Sequence, residues 1–201
     1  MRLRVLASMI LMSVIGIAAT GQELRNEVSV QGTGFFTKDS TGNGIYRTAT
    51  NTGGVLAGYR FRINQWFSAE GNYGWDRNSQ IYSSGGGSSR VQADVHSVTA
   101  DLVINLPVAL WKLSPYALTG GGGLIFRPTR NAGASVPGAD TQTRGAFLYG
   151  GGVEYPLIQH FLVKAEYRGY VYKTTSFGLE SLNLHNWTHT AQPSAGLTYR
   201  F

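Results

Sequence analysis

Three features of the sequence predict an all-β chain, an eight-stranded antiparallel up-and-down transmembrane β-barrel. Eight segments alternate apolar residues with polar or small ones. The connections between them alternate short and long. The charged residues fall on the face opposite the apolar one, in both signs. Successive side chains of a strand point to opposite faces, so each segment has one greasy and one wet side. At about nine to twelve residues, each is long enough to cross a bilayer at a tilt of about 40°.

The N-terminus predicts export. Arg2 and Arg4 precede an apolar run, Val5 to Ala19, and Ala19-Thr20-Gly21 offers small residues for cleavage. Residues 1–21 are therefore expected to form a cleaved secretory signal peptide, and residues 22–201 the barrel domain. The chain has no cysteine, which excludes a lipidated-cysteine anchor, disulfides and thiolate metal sites. Lys and Arg total 17 against 11 Asp and Glu; without Arg2 and Arg4 the balance is 15 − 11 = +4. No Lys/Arg run concentrates that excess, so a nucleic-acid partner is not expected. The 27 glycines and the Tyr- and Phe-rich aromatics suit strands joined by many turns.

The strands follow in order. The first places Val28, Val30 and Phe36 opposite Ser29, Gln31 and Thr33, and the second Val55 to Ile63 opposite Arg60 and Arg62. The third sets Phe67, Tyr73 and Trp75 against Glu70 and Asp76; the fourth sets Val98, Leu102 and Leu106 against Asp101. In the fifth, Tyr116, Leu118, Leu124 and Phe126 oppose Thr119 and Arg127, with glycines 120–123 between. The sixth opposes Phe147, Tyr149, Val153 and Tyr155 to Glu154. The seventh opposes Phe161, Val163, Ala165 and Tyr167 to Lys164, Glu166 and Arg168; the eighth runs from Ala191 to Phe201. Asn64–Trp66, Pro107–Ser114 and Pro156–His160 are short connections. Lys38–Gly54, Arg77–Val95, Pro128–Gly145 and Lys173–Thr190 are long, polar and expected to be flexible. Tight turns at one end and extended loops at the other are the pattern of outer-membrane barrels.

If the apolar face meets lipid, the charges must fill the interior, which in an eight-stranded barrel is just wide enough for side chains. Unpaired buried charge is costly, so the charges should pair. Pairing Ile63 with Phe67 puts Arg60 opposite Glu70. Pairing Tyr155 with Phe161 puts Glu154 diagonal to Lys164. The expected lumen network is Arg60, Arg62, Glu70, Asp101, Glu154, Lys164, Glu166, Arg168 and Arg200. The aromatics sort to strand ends, as bilayer interfaces select. Trp66, Trp111, Tyr116, Tyr155 and Phe161 lie near the short turns; Trp75 and Phe126 lie near the long loops.

The chain ends on alternation, with Leu197, Tyr199 and Phe201 on one face after Gly196. This ending resembles the C-terminal signal of bacterial outer-membrane barrels. Tyr149-Gly-Gly-Gly-Val-Glu-Tyr-Pro156 and Phe161-Leu-Val-Lys-Ala-Glu-Tyr-Arg168 add to it. Together they resemble small barrels of the OmpA-like transmembrane type. The resemblance implies an integral protein of the outer membrane, with outer-membrane lipid as surroundings. It also implies recognition by the barrel-assembly machinery through the last strand.

No chemistry asserts itself. His185 and His189 share a long loop without an evident helix or acidic third ligand, so no metal site is expected. His96 and Ser97 are adjacent and point to opposite faces, which prevents proton exchange between them. Neither glycine run leads into a Lys-Ser/Thr that would cradle a phosphate. No cofactor is expected. The glycine strip could alternatively form a lipid or protein docking groove. The expectation is a monomeric, non-catalytic barrel with a filled lumen and a structural or surface-interaction role. A narrow pore for small solutes is the alternative; an enzyme acting on lipid ranks below it.

Overall fold

The computed structural model describes residues 24–108, 111–129, 138–179 and 182–201. The expected signal peptide lies outside them. Ten strands are present among the described residues: β1 (Asn26–Thr37), β2 (Ser40–Gly42), β3 (Ile45–Ala49), β4 (Thr52–Arg62), β5 (Phe67–Ser84), β6 (Gly87–Asn105), β7 (Ser114–Pro128), β8 (Gln142–Ile158), β9 (Phe161–Lys173) and β10 (Trp187–Arg200). Eight of them, β1 and β4 to β10, form a closed antiparallel barrel. β2 and β3 make a small hairpin that adds to the outer part of β5, with Thr48 opposite Ile81. The barrel closes where β1 meets β10, Val28 opposite Tyr199 and Val30 opposite Leu197. Asn26 and Phe201 exchange backbone hydrogen bonds of 2.9 and 2.8 Å at the end of that seam.

Alternation sorts the side chains as a membrane requires. Val55, Tyr59, Phe67, Tyr73, Val98, Leu102, Phe147, Tyr155, Phe161, Leu197 and Tyr199 are exposed on the outer wall. The polar residues between them are buried. Closure removes the unpaired strand edges that lipid could not hydrate.

Two expectations about the connections are corrected. Arg77–Val95 is not a loop: β5 and β6 stay paired from Phe67–Ile104 to Ser84–Gly87, and only Gly85 and Gly86 turn. Above the bilayer the outer face no longer has to be apolar, so the hydropathy signal stops while the hydrogen-bonded ladder continues. The loop after β9 is not simply a flexible surface segment, because Thr174, Thr175, Ser176 and Phe177 are buried. The Gln142 side chain accepts from the backbone N–H groups of Ser176 and Phe177, which pins the loop over the outer mouth.

β7 is turned the other way from its reading. Tyr116, Leu118, Leu124 and Phe126 point inward and are buried, while Thr119 and Arg127 point outward. Both faces of β7 are nearly free of charge between Tyr116 and Phe126. Alternation therefore defined two faces without saying which was wet.

Candidate functional site in the barrel lumen

All eight barrel strands contribute to one polar cluster in the lower lumen. Arg60 of β4 lies opposite Glu70 of β5, as the hairpin register requires, and its Nε donates to the Glu70 carboxylate. Arg60 Nη1 reaches across to Glu154 Oε1 at 2.6 Å. Glu70 also accepts from Lys164 Nζ at 3.0 Å and from Arg168 Nη2 at 2.8 Å. Arg168 in turn donates through Nη1 to Asp101 at 2.8 Å and through Nε to Glu166. Lys164 lies 3.2 Å from Glu166.

Glu154 and Lys164 stand directly opposite one another, not diagonally. The difference arises because β8 runs on to Ile158, which pairs with Phe161 across an irregularity near Pro156. Arg62 and Arg200 sit at the periplasmic rim of the cluster and are only partly buried. Both donate to Glu27 Oε1, at 3.0 and 2.7 Å.

Glu27 and Tyr116 are members that the sequence reading left out. Glu27 precedes the first apolar residue of β1 but keeps the parity of Ser29 and Gln31, and that parity was the signal for it. Tyr116 supplies the contribution of β7. Its hydroxyl donates to Glu166 at 2.6 Å, and the Arg60 guanidinium lies 4.5 Å from the ring centre. The placement of Tyr116 and Phe126 in the interface belts is thereby corrected. Both rings are inside the barrel, where Tyr116 faces cations and Phe126 packs on Tyr172 and Phe177. Trp66, Trp111, Tyr155 and Phe161 are exposed, and Trp75 is half-buried.

The cluster balances. Five cations (Arg60, Arg62, Lys164, Arg168, Arg200) face five acids (Glu27, Glu70, Asp101, Glu154, Glu166). Mutual pairing is what makes so much burial of charge tolerable.

Above this level the lumen is polar and then apolar. Asp76 accepts from Thr33 at 2.7 Å and Gln192 at 2.9 Å. Tyr170 donates to Gln192. Arg47, carried over the mouth by the β2–β3 hairpin, is fully buried and donates to Gln80, Ser40, Thr188 and the Lys38 carbonyl. Phe35, Ile45, Tyr82, Phe126, Tyr172, Phe177, Leu182 and Leu184 belong to one buried apolar cluster. No group of three or more His, Asp or Glu that could hold a metal is present among the described residues.

A closed eight-stranded wall, lipid-facing outside and charged inside, is the geometry of an outer-membrane barrel. Residues 7–201 match the family model for the outer membrane protein beta-barrel domain. The chain belongs to that family. It is an integral β-barrel of the outer membrane. Solved structures with a similar fold are small barrels from the same membrane. Neisserial surface protein A superposes with a TM-score of 0.60 at 15% identity, over 88% of this chain and 97% of that one. The outer membrane protein OprG of Pseudomonas aeruginosa gives 0.62 at 13% identity, over 90% and 98%. The attachment invasion locus protein Ail of Yersinia pestis, solved with the heparin analogue sucrose octasulfate, gives 0.52 at 18% identity, over 88% and 99%. No curated protein matches the sequence.

Proposed function

We propose that this family member is a closed, non-catalytic monomer whose role is structural and surface-interacting. The observation that carries the reading is a lumen filled at two levels. Side chains from all eight strands interlock below, and Arg47, Phe177 and their neighbours pack together under the outer mouth. Passage of a hydrated solute would require the balanced cluster to separate, and each group left unpaired costs several kcal/mol, roughly.

A surface partner is supported by the outer ends of the strands. Lys38, Arg77, Arg90, Arg127, Arg144 and Lys173 stand there against Asp39, Asp94 and Asp140 among the described residues. That imbalance suits an anionic partner, and Ail was solved with a polysulfated sugar. The last strand, with Gly196, Leu197, Tyr199 and Phe201, is the segment we assign to recognition during assembly. Leu197 and Tyr199 face outward.

Conductance in planar lipid bilayers tests the closed lumen. The expected record is a flat baseline after insertion, with heat-modifiable migration in SDS gels confirming folded protein in the same sample. Reproducible single-channel steps from the wild-type barrel would overturn this reading in favour of the narrow pore.

A further inference from the structure

The outer wall carries a polar pocket that backs onto the Arg47 cluster of the upper lumen. It lies where the chain leaving β1 passes the beginning of β10, and has a volume of about 340 Å³. Its lining includes Lys38, Asp39, Ser40, Trp187, Thr188 and His189. Its frame is fixed internally. The Lys38 N–H donates to the His189 carbonyl at 2.8 Å, Thr188 donates to the Lys38 carbonyl, and Asn186 donates to the Thr41 carbonyl. The Tyr149 hydroxyl lies 3.0 Å from His189 Nε2 and holds that ring.

Among the described residues, two ammonium groups face one carboxylate here. Among the described residues no carboxylate lies within ion-pair distance of the Lys38 ammonium. Asp39 is the one carboxylate that lines the pocket, and it accepts from the Tyr46 hydroxyl at 2.9 Å. Lys173 lies over the Trp187 ring, 5.8 Å from its centre, and adds a second ammonium to the same rim.

Val171 and Trp187 also line a second hollow of about 690 Å³, which descends the lipid-facing wall. Its other walls include Gly121, Gly145 and Phe147. The register places Gly121 beside Phe147, Phe147 beside Val171, and Val171 beside His189. A shallow apolar hollow facing the bilayer thus adjoins a pocket at the outer rim where ammonium groups outnumber the one lining carboxylate.

We propose that these two hollows form one binding site for an outer-leaflet lipid with a phosphorylated headgroup. An acyl chain lies along Gly121, Gly145 and Phe147, and the phosphate meets Lys38, His189 and Lys173. The two halves suit an amphiphile: the hollow removes hydrocarbon from nothing but lipid, so selectivity comes from the charged end. Basic pockets at membrane surfaces recognise anionic headgroups, at about 1 kcal/mol per Lys or Arg. Trp187 sits where an aromatic can stack on a sugar between chain and phosphate. The pocket shares Ser40, Thr188 and the Lys38 carbonyl with Arg47 of the lumen, but lipid retention and conductance are separate readouts, so the two readings can fail separately.

Native mass spectrometry of the purified barrel in detergent, titrated with bisphosphorylated lipid A, tests the site. The expected result is one lipid retained per barrel, with apparent affinity reduced about fivefold or more by Lys38→Glu, as loss and reversal of one surface cation predict. Gly145→Leu should also weaken retention. A Cβ at Gly145 meets open space, so the variant fills the hollow without disturbing the strand. Lys112→Glu, exposed in the periplasmic turn before β7, should change nothing. Dephosphorylated lipid A should bind more weakly than the bisphosphorylated form, and inorganic phosphate alone should not compete at equal concentration. Equal retention by Lys38→Glu and Lys112→Glu, or equal binding of the dephosphorylated lipid, would overturn the proposal. If Lys38→Glu fails to fold, Lys38→Gln and Gly145→Leu carry the same comparison.

Discussion

Replacing Glu70 with alanine is expected to destabilise the folded barrel by about 3–5 kcal/mol, the usual cost of removing one partner from a buried ion cluster. Glu70 accepts hydrogen bonds from more cations than any other acid of the cluster: Arg60, Lys164 and Arg168 all donate to it. All four side chains are almost completely buried. Alanine leaves three cations around a void and shifts the cluster from five against five to five against four. Arg60 keeps Glu154, and Arg168 keeps Asp101 and Glu166, but Lys164 is left with Glu166 as its close acid. The measurement is the urea midpoint of the barrel in lipid vesicles, read by tryptophan fluorescence. Adding Arg168→Met to Glu70→Ala restores the charge balance, and the double variant should recover part of the loss. A midpoint unmoved by Glu70→Ala would mean that water hydrates these groups and that the lumen is open at this level.

Much of the lower lumen could be read from the sequence because a hairpin transmits register. Once the turn at Asn64–Trp66 is placed, Arg60 and Glu70 have no alternative but to meet. The pairing of Glu154 with Lys164 was less legible. A proline and two further apolar residues follow Tyr155, and nothing in the alternation shows that β8 continues through them before turning. β7 failed for a different reason. Its only polar side chain between Tyr116 and Phe126 is Thr119, so lipid and lumen make almost the same demand on both of its faces. What decides is contact with other strands: Tyr116 is needed under Arg60, and Phe126 against Phe177. Neither partner is close in sequence. The outer cap was equally hidden. Arg47 and Phe177 come from polar connections where periodicity carries no information, and they are buried only because the hairpin and the last loop fold back over the mouth. Glu27, by contrast, lay within reach, since extending β1 by one pleat places it on the wet face.

The seam between β1 and β10 should be the least forgiving place in the molecule, and Gly196→Val is expected to abolish most of the folded, heat-modifiable species. Every other pair of neighbours consists of barrel strands that follow one another along the chain, with only the β2–β3 hairpin between β1 and β4. The β1–β10 pair joins the first barrel strand to the last and is held by the ladder between them. Gly196 stands opposite Gln31, and a Cβ there would collide with the Val30 carbonyl oxygen and lie 2.5 Å from the Gln31 Cα. The obstruction is backbone, so no rotamer can relieve it. The strands would have to separate, and separation exposes unpaired N–H and C=O groups to lipid at several kcal/mol each, roughly. Gly71→Ala is the matched control, because a Cβ at Gly71 meets nothing within 4 Å. Refolding yield into vesicles, scored by the fast-migrating unboiled band, should be near wild type for Gly71→Ala and near zero for Gly196→Val. Comparable yields would show that the seam accommodates a side chain, and the glycine would then owe its place to recognition during assembly and not to closure.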